Sequence, residues 1–260
     1  RCELPHISYS ELKNWEQCPY KHKLVNIDKI NNFTGNEYTA FGTALHSVCE
    51  NLLTENLGKK VDEGELFVQE FRKEVKKLDV ELRKDMIISM FEQGVKIAPV
   101  VIPLIREHFG DFEVFAAEEK LYEDIEGLDY KFKGFIDLVF KTEDGKLHIM
   151  DYKTCSWGWG KQQKTDKMLA YQLVLYKHFF AQRYEIDPND IEVHFCLLKR
   201  TAKKNVVEVF SITSGEKRTS NALELMTRAI KTIKNKVHIK NRLACTKGYG
   251  CEFYKTEHCK

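Results

Sequence analysis

Two aspartates and a lysine carry the strongest chemical signal in the sequence: Asp137 in Gly134-Phe-Ile-Asp137, and Asp151 and Lys153 in Met150-Asp151-Tyr-Lys153-Thr154. Between them, Glu143-Asp144-Gly145 suits a three-residue hairpin loop, a type I turn closed by a glycine in the left-handed region. That loop pairs Thr142 with Lys146. Counting back sets Asp137 directly opposite Asp151, with Lys153 two residues on and so on the same face. A two-residue turn would put the aspartates on opposite faces. Carboxylates that face each other repel, and a hard divalent cation removes the conflict. Mg²⁺ favours one or two carboxylates plus waters and phosphate oxygens, which leaves a water to activate and a phosphate to polarise. Lys153 would then orient the attacking water or neutralise charge growing on the phosphate. The alternative is that all three are solvated residues of an exposed sheet face, since single D-x-K triplets are common.

The elements that must position these side chains follow from periodicity. Ser8 and Glu11 have the spacing of a capping box, so a first helix starts there and bends at Pro19. Phe41 to Leu53, Glu63 to Leu78 and Val80 to Phe109 are amphipathic at helical period, which makes the first hundred residues mainly helical. From Glu113 the period becomes two, over Glu113 to Asp124, Leu128 to Lys141 and Lys146 to Thr154, an antiparallel meander. A helix over Thr165 to Tyr184, strands at Ile191 to Leu198 and Val206 to Ile212, and a closing helix over Ser214 to Ile239 complete an α/β, mostly antiparallel architecture.

The 260 residues, 43% of them apolar, suffice for a sizeable core. The most apolar stretch, Met86 to Ile105, is interrupted by Glu92, Gln93, Lys96, Pro99 and Pro103, so no membrane span is expected. A net charge of +2 neither demands nor excludes a polyanionic partner, so any nucleic-acid site must be a local basic patch. Eight unevenly spread cysteines without a visible secretory segment point to a reducing, cytoplasmic compartment where thiols stay free or bind metal.

The chain resembles the RecB-type branch of the PD-(D/E)xK nucleases, the branch that includes CRISPR-adaptation and phage recombination exonucleases. The resemblance rests on Ser8-Tyr-Ser-Glu-Leu-Lys-Asn-Trp-Glu-Gln-Cys18-Pro19-Tyr20, Phe41-Gly42-Thr-Ala-Leu-His46, Gly134-Phe-Ile-Asp137, Met150-Asp151-Tyr-Lys153-Thr154 and Tyr171-Gln172-Leu-Val-Leu-Tyr176, in that order. It implies a restriction-endonuclease-like mixed sheet flanked by helices, with a helical N-terminal lobe over residues 1–112 contributing Cys18 and His46. It further implies a nuclease core over 113–240 and a cysteine-bearing segment over 241–260 packing on the N-terminal part. By the same resemblance His46, Asp137 and Asp151 are ligands of Mg²⁺ or Mn²⁺, and Lys153 is the catalytic lysine. The family's glutamate on the preceding strand falls on Glu118 or Glu119; strand alternation favours Glu119, which shares a face with Phe115, Ala117 and Leu121. Gln172 and Tyr176, four apart on one helix face, match the family's Q-x-x-x-Y motif, or else form a buried polar pair between helix and sheet.

Cys245, Cys251 and Cys259 crowd the end of the chain, with Cys18 far upstream. The layout resembles the split [4Fe-4S] site of some RecB-type nucleases, although the intervals of five and seven residues depart from the two and five of that pattern. Zinc on the same four ligands, or free thiols, stays open. Cys49, Cys155 and Cys196 fall in apolar patterns and read as core residues.

After Lys153 comes Cys155-Ser-Trp157-Gly-Trp159-Gly-Lys161-Gln-Gln-Lys164, a glycine-hinged loop. Trp157 and Trp159 could stack on bases while Lys161 and Lys164 hold phosphates, or the tryptophans could cap the core. The clusters Lys199, Arg200, Lys203, Lys204 and Lys231, Lys234, Lys236, Lys240, Arg242 read as solvated faces unless they lie near the site. The activity implied is a Mg/Mn-dependent deoxyribonuclease, an exonuclease of recombination, repair or phage DNA processing. Its substrate would be single-stranded DNA or duplex ends, with recombination or helicase proteins as partners. A nucleic-acid-binding module of the same fold without catalysis, and a cysteine-cluster interaction protein, are the other classes these residues admit.

Overall fold

The structure, a computed structural model, describes residues 5–30, 35–248 and 250–260. In chain order it runs β1 (His6–Ser8), α1 (Tyr9–Gln17), α2 (Pro19–His22), α3 (Glu37–Leu53), α4 (Glu63–Lys76), α5 (Lys84–Phe109), β2 (Phe112–Asp124), β3 (Lys131–Thr142), β4 (Leu147–Cys155), α6 (Lys161–Lys164), α7 (Lys167–Tyr184), β5 (Ile191–Lys199), β6 (Val207–Ile212) and α8 (Glu216–Lys234). A π-helical turn, Lys23–Ile27, follows α2. The capping box at the start of α1 is complete: Ser8 Oγ accepts from the Glu11 amide and Glu11 Oε2 from the Ser8 amide. Pro19 ends that helix rather than bending it, because Cys18 before it is extended.

The sheet is mixed, ordered β1-β3-β4-β5-β6 with β2 also on β3. β1 runs parallel to β3 and β4 parallel to β5, while β3–β4 and β5–β6 are antiparallel. The parallel pairs are what periodicity did not announce, since it reports which face is buried but not which strand lies alongside. The register of the β3–β4 hairpin is the one the turn chemistry dictates. Leu138 pairs with Met150, Val139 with Ile149 and Phe140 with His148, and the Thr142 amide donates to the Lys146 carbonyl.

Two compact units divide the chain. One comprises residues 1–33, 121–134 and 216–260; the other comprises 34–120 and 135–215; β2 and β3 run through both. The first unit holds α1, α2, α8 and the C-terminal segment, where Leu24, Phe253 and Cys259 form a small core. The second holds α3 to α5, α7 and most of the sheet. Its large core joins Phe41, Leu45 and Val48 of α3, Phe67 and Phe71 of α4, and Met90, Ile97 and Val101 of α5 to Leu138, Phe140, Met150 and Tyr152 of the hairpin. α5 is long and apolar enough to cross a bilayer by length and composition. The face carrying Met90, Ile97, Ala98, Val101 and Ile105 is buried in that core, while Ile88 and Val95 on other faces are exposed. α7 is buried nearly all round, from Ala170 to Ala181, against β4 and β5.

Candidate active site

His46 sits on α3, one turn after Gly42. A Cβ at Gly42 would meet Thr154 Oγ1 of β4 at 3.1 Å, so this glycine lets the helix lie close against the strand. The approach sets His46 Nδ1 3.3 Å from Asp137 Oδ1 and its ring edge-on to Tyr152. Burial lowers the His46 pKa, but the Asp137 hydrogen bond and charge, with Asp151, more than offset this and raise it.

Asp137 immediately precedes Leu138, the first β3 residue paired with β4, which lies opposite Met150. Its Oδ2 accepts the Tyr152 amide at 2.8 Å, so the side chain takes over where the backbone ladder stops. Asp151 is buried, and burial pushes its carboxyl up to about 6, Lys153 opposing and Asp137 adding to the rise. Lys153 Nζ lies 2.8 Å from Asp151 Oδ2, a close ion pair that satisfies that buried oxygen. The lysine also sits over the Phe195 ring of β5.

Gln172 Nε2 donates to Asp151 Oδ1 at 3.0 Å and approaches Tyr176 Oη at 3.3 Å, so the four-residue spacing on α7 serves to hold one carboxylate. Burial raises the Tyr176 phenol well above its usual range. Glu119 is not brought to this group. Glu118 adopts φ +55, which breaks the alternation of β2. Glu119 instead accepts from Tyr184 Oη at 2.6 Å and lies 3.5 Å from Arg183 Nη1. Tyr184 is eight residues past Tyr176, or about 12 Å along α7. Glu118 is the residue that reaches the helix of His46: burial, then the charge and hydrogen bond of Glu118, raise the Glu50 carboxyl, four residues past His46. The sequence offered no signal for that swap beyond two adjacent glutamates.

These residues fit a hard divalent cation. Asp151 is a buried carboxylate that desolvation and the neighbouring charge of Asp137 both penalise, a penalty a cation shared by the two acids would relieve. Among the described residues, only His148, Glu192 and His194 bring three potential ligand atoms within 4.8 Å of one another. His46, Asp137 and Asp151 are therefore a looser set, open to further oxygen ligands.

The loop after β4 separates its two tryptophans. Trp157 is 79% exposed. Trp159 is half-buried, its ring edge-on to Phe195 and Phe210, so it caps the sheet beside Lys153. Gly158, between them, has φ +114, and a Cβ there would meet Lys199 Cδ at 3.0 Å. Lys161 is exposed at the start of α6, whereas Lys164 is paired to Glu208 and lies over the Phe210 ring. Lys199 also pairs with Glu208, and Arg200 donates to Gln93 Oε1, so half of that basic cluster is committed internally.

In the other unit, Cys18, Cys245, Cys251 and Cys259 line one pocket of about 350 Å³ with Tyr20, Leu24 and Phe253. The Asn241 amide donates to Cys18 Sγ at 3.3 Å. Cys49 and Cys196 are buried with thiols pushed far up by desolvation, as expected of core residues; Cys155 is only half-buried.

A sheet of this topology, with two acids and a lysine on one hairpin and a glutamine behind them, defines a nuclease. The chain belongs to the PD-(D/E)XK nuclease superfamily, whose family model matches residues 6–259. A solved structure from Eubacterium rectale, named provisionally as an exonuclease, shares the fold. It has a TM-score of 0.59 and 13% identity over 93% of this chain and 86% of that one. A second structure, SSO0001, is 14% identical over 85% of this chain and 84% of its own, with a TM-score of 0.34 that carries no argument. No curated protein matches the sequence.

Proposed function

We propose that the chain is a Mg²⁺- or Mn²⁺-dependent deoxyribonuclease that hydrolyses phosphodiester bonds exonucleolytically, in recombination, repair or phage DNA processing. The observation that carries this reading is the buried carboxylate of Asp151, which desolvation penalises when charged, with Asp137 and Lys153 beside it. Asp137, Asp151 and His46 would hold the ion, which supplies Lewis-acid polarisation of a phosphate oxygen and a more acidic water. Asp137 is held for this by the Tyr152 amide, and Asp151 by Gln172, which Tyr176 backs from the next turn. Lys153 presents its ammonium where charge grows on the phosphate, and the aromatic ring beneath it limits where that ammonium can go. Trp157 offers an exposed face for an unpaired base, with Lys161 as a phosphate contact. Single strands or duplex ends suit that arrangement, and recombination or helicase proteins would be the partners of an enzyme in this role.

The four cysteines are read as the ligands of a [4Fe-4S] cluster, with zinc as the other occupant of the same thiolates, in a cytoplasmic, reducing compartment. Iron, sulfide and zinc analysis of anaerobically purified protein decides between them.

The test of the activity is incubation with end-labelled single- and double-stranded DNA in Mg²⁺, in Mn²⁺ and in chelator. Metal-dependent shortening from an end is expected. Cutting that persists in chelator, or none with either metal, overturns the reading.

A further inference from the structure

His148, His194 and Glu192 lie outside the nuclease centre and the cysteine group. β4 and β5 are parallel neighbours in which His148 pairs with Glu192 and Met150 with His194. Alternation puts all three side chains on one face of the sheet, the face opposite Asp151 and Lys153. His148 Nδ1 is 2.9 Å from His194 Nε2, and Glu192 Oε2 is 3.9 Å from His148 Nδ1. The three ligand atoms fall within 4.8 Å of one another.

Each imidazole is anchored through its outer nitrogen, His148 Nε2 at 3.0 Å from Thr142 Oγ1 and His194 Nδ1 at 2.9 Å from Ser211 Oγ. The rings are further clamped by Phe109, at 4.9 and 4.8 Å, and by Phe140, stacked on His148 at 5.0 Å. Outer nitrogens fixed by hydroxyls and inner nitrogens converging is the arrangement in which histidines ligate a metal, the outer hydrogen bond setting the ring's tautomer and orientation. Desolvation lowers both pKa values, His194 to about 3, so both rings are neutral, the form that binds metal. Without an ion, one proton bridges the two inner nitrogens and leaves the face of the pair toward Glu192 unsatisfied by any cation but Lys146, which holds the other carboxylate oxygen at 2.9 Å.

A route to the cluster exists. A pocket of about 590 Å³ lined by His108, Phe109, Asp111, Thr142, Glu143 and Asp144 opens onto His148. Three of those side chains are carboxylates, which concentrate cations at its mouth.

We propose that His148, His194 and Glu192 form a second metal site, for one borderline divalent ion of the zinc type, separate from the nuclease centre. Two imidazoles and one carboxylate select zinc, cobalt or nickel over Mg²⁺, which prefers oxygen alone. The ion would take the place of the proton shared by the imidazoles, with water completing the coordination. That proton moves to the outer nitrogen of the ring that carried it and is donated to the hydroxyl of Thr142 or Ser211. It cross-links β4 to β5 three residues before Asp151, so its effect is on the stability of the strand that presents the catalytic acid.

The site does not rest on the nuclease reading, and its test keeps the two apart. Chelator-stripped protein carrying Asp137→Asn is titrated with Zn²⁺ against a chromophoric chelator, and with Co²⁺ by visible absorption. About one ion beyond any that the cysteines hold, with a nitrogen–oxygen Co²⁺ spectrum, is expected, distinct from the sulfur charge-transfer bands of thiolate ligation. Zn²⁺ also raises the melting temperature. Adding Glu192→Gln, a half-exposed position where folding is not at risk, weakens Zn²⁺ binding by about tenfold or more and removes the thermal shift. His194→Gln does the same where circular dichroism shows it folded. Zn²⁺ affinity unchanged by Glu192→Gln, or a Co²⁺ spectrum of thiolate ligation alone, overturns the proposal.

Discussion

The Tyr152 amide donates to the Asp137 carboxylate at 2.8 Å at the point where the β3–β4 ladder ends. Asp137 thus has two tasks, to close the backbone hydrogen bonding and to present a charge. Substitution separates them. Asp137→Ala leaves the buried Tyr152 amide unpaired and costs about 1 to 3 kcal/mol. Asp137→Asn keeps an acceptor and holds the melting temperature near wild type. Both abolish cutting, so denaturant unfolding and activity measured on the same two proteins distinguish the tasks.

Asp151 is buried with a carboxyl near 6 against an unfolded value near 4. A raised folded pKa makes its contribution to stability full below about pH 4 and lost as pH rises through about 6. Without metal, Asp151→Asn therefore stabilises the protein at pH 7 to 8 by up to about 3 kcal/mol, and the gain vanishes near pH 4. Melting curves of both proteins across that range check this. Mn²⁺ affinity of the wild type falls as pH drops below about 6, because a proton then competes for the same oxygen.

Gln172 holds Asp151 Oδ1 at 3.0 Å. Gln172→Ala is expected to lower kcat by about 10- to 100-fold with little change in KM for DNA. It also moves the acid limb of the pH–rate profile upward, since the carboxylate loses a donor. A mutation that only loosened packing would leave the profile in place.

The two tryptophans give opposite results. Trp157→Ala leaves unfolding unchanged and weakens single-strand binding by about 1 to 3 kcal/mol. Trp159→Ala removes a ring packed on Phe195 and Phe210 and costs about 2 kcal/mol of stability, less than a fully buried ring. Fluorescence anisotropy and thermal unfolding on each variant are the measurements.

The hairpin was legible because a single local feature, the Glu143-Asp144-Gly145 turn, sets the register of every residue up to the acids. The helices α3 to α5 and α7 were legible because their apolar periods are long. Glu119 was not, because one residue with positive φ, Glu118, reverses the parity of the rest of β2, and alternation cannot announce its own interruption. The parallel pairing of β4 with β5 was not legible either, since it depends on contact between strands separated by α7. For that reason Glu192-x-His194 and His148 gave no joint signal, although each lies in the sequence in plain view. The paired tryptophans differ only in what the loop turns toward the sheet, which Gly158 decides.

The most direct measurement is calorimetric titration of Mn²⁺ into wild type, Asp137→Asn and Asp151→Asn in Zn²⁺-free buffer at pH 7.5, a value above the Asp151 titration near 6. One Mn²⁺ site in the wild type, weakened at least about tenfold by either substitution, is the predicted result. Equal Mn²⁺ affinity in all three proteins would contradict the account, whatever their activities.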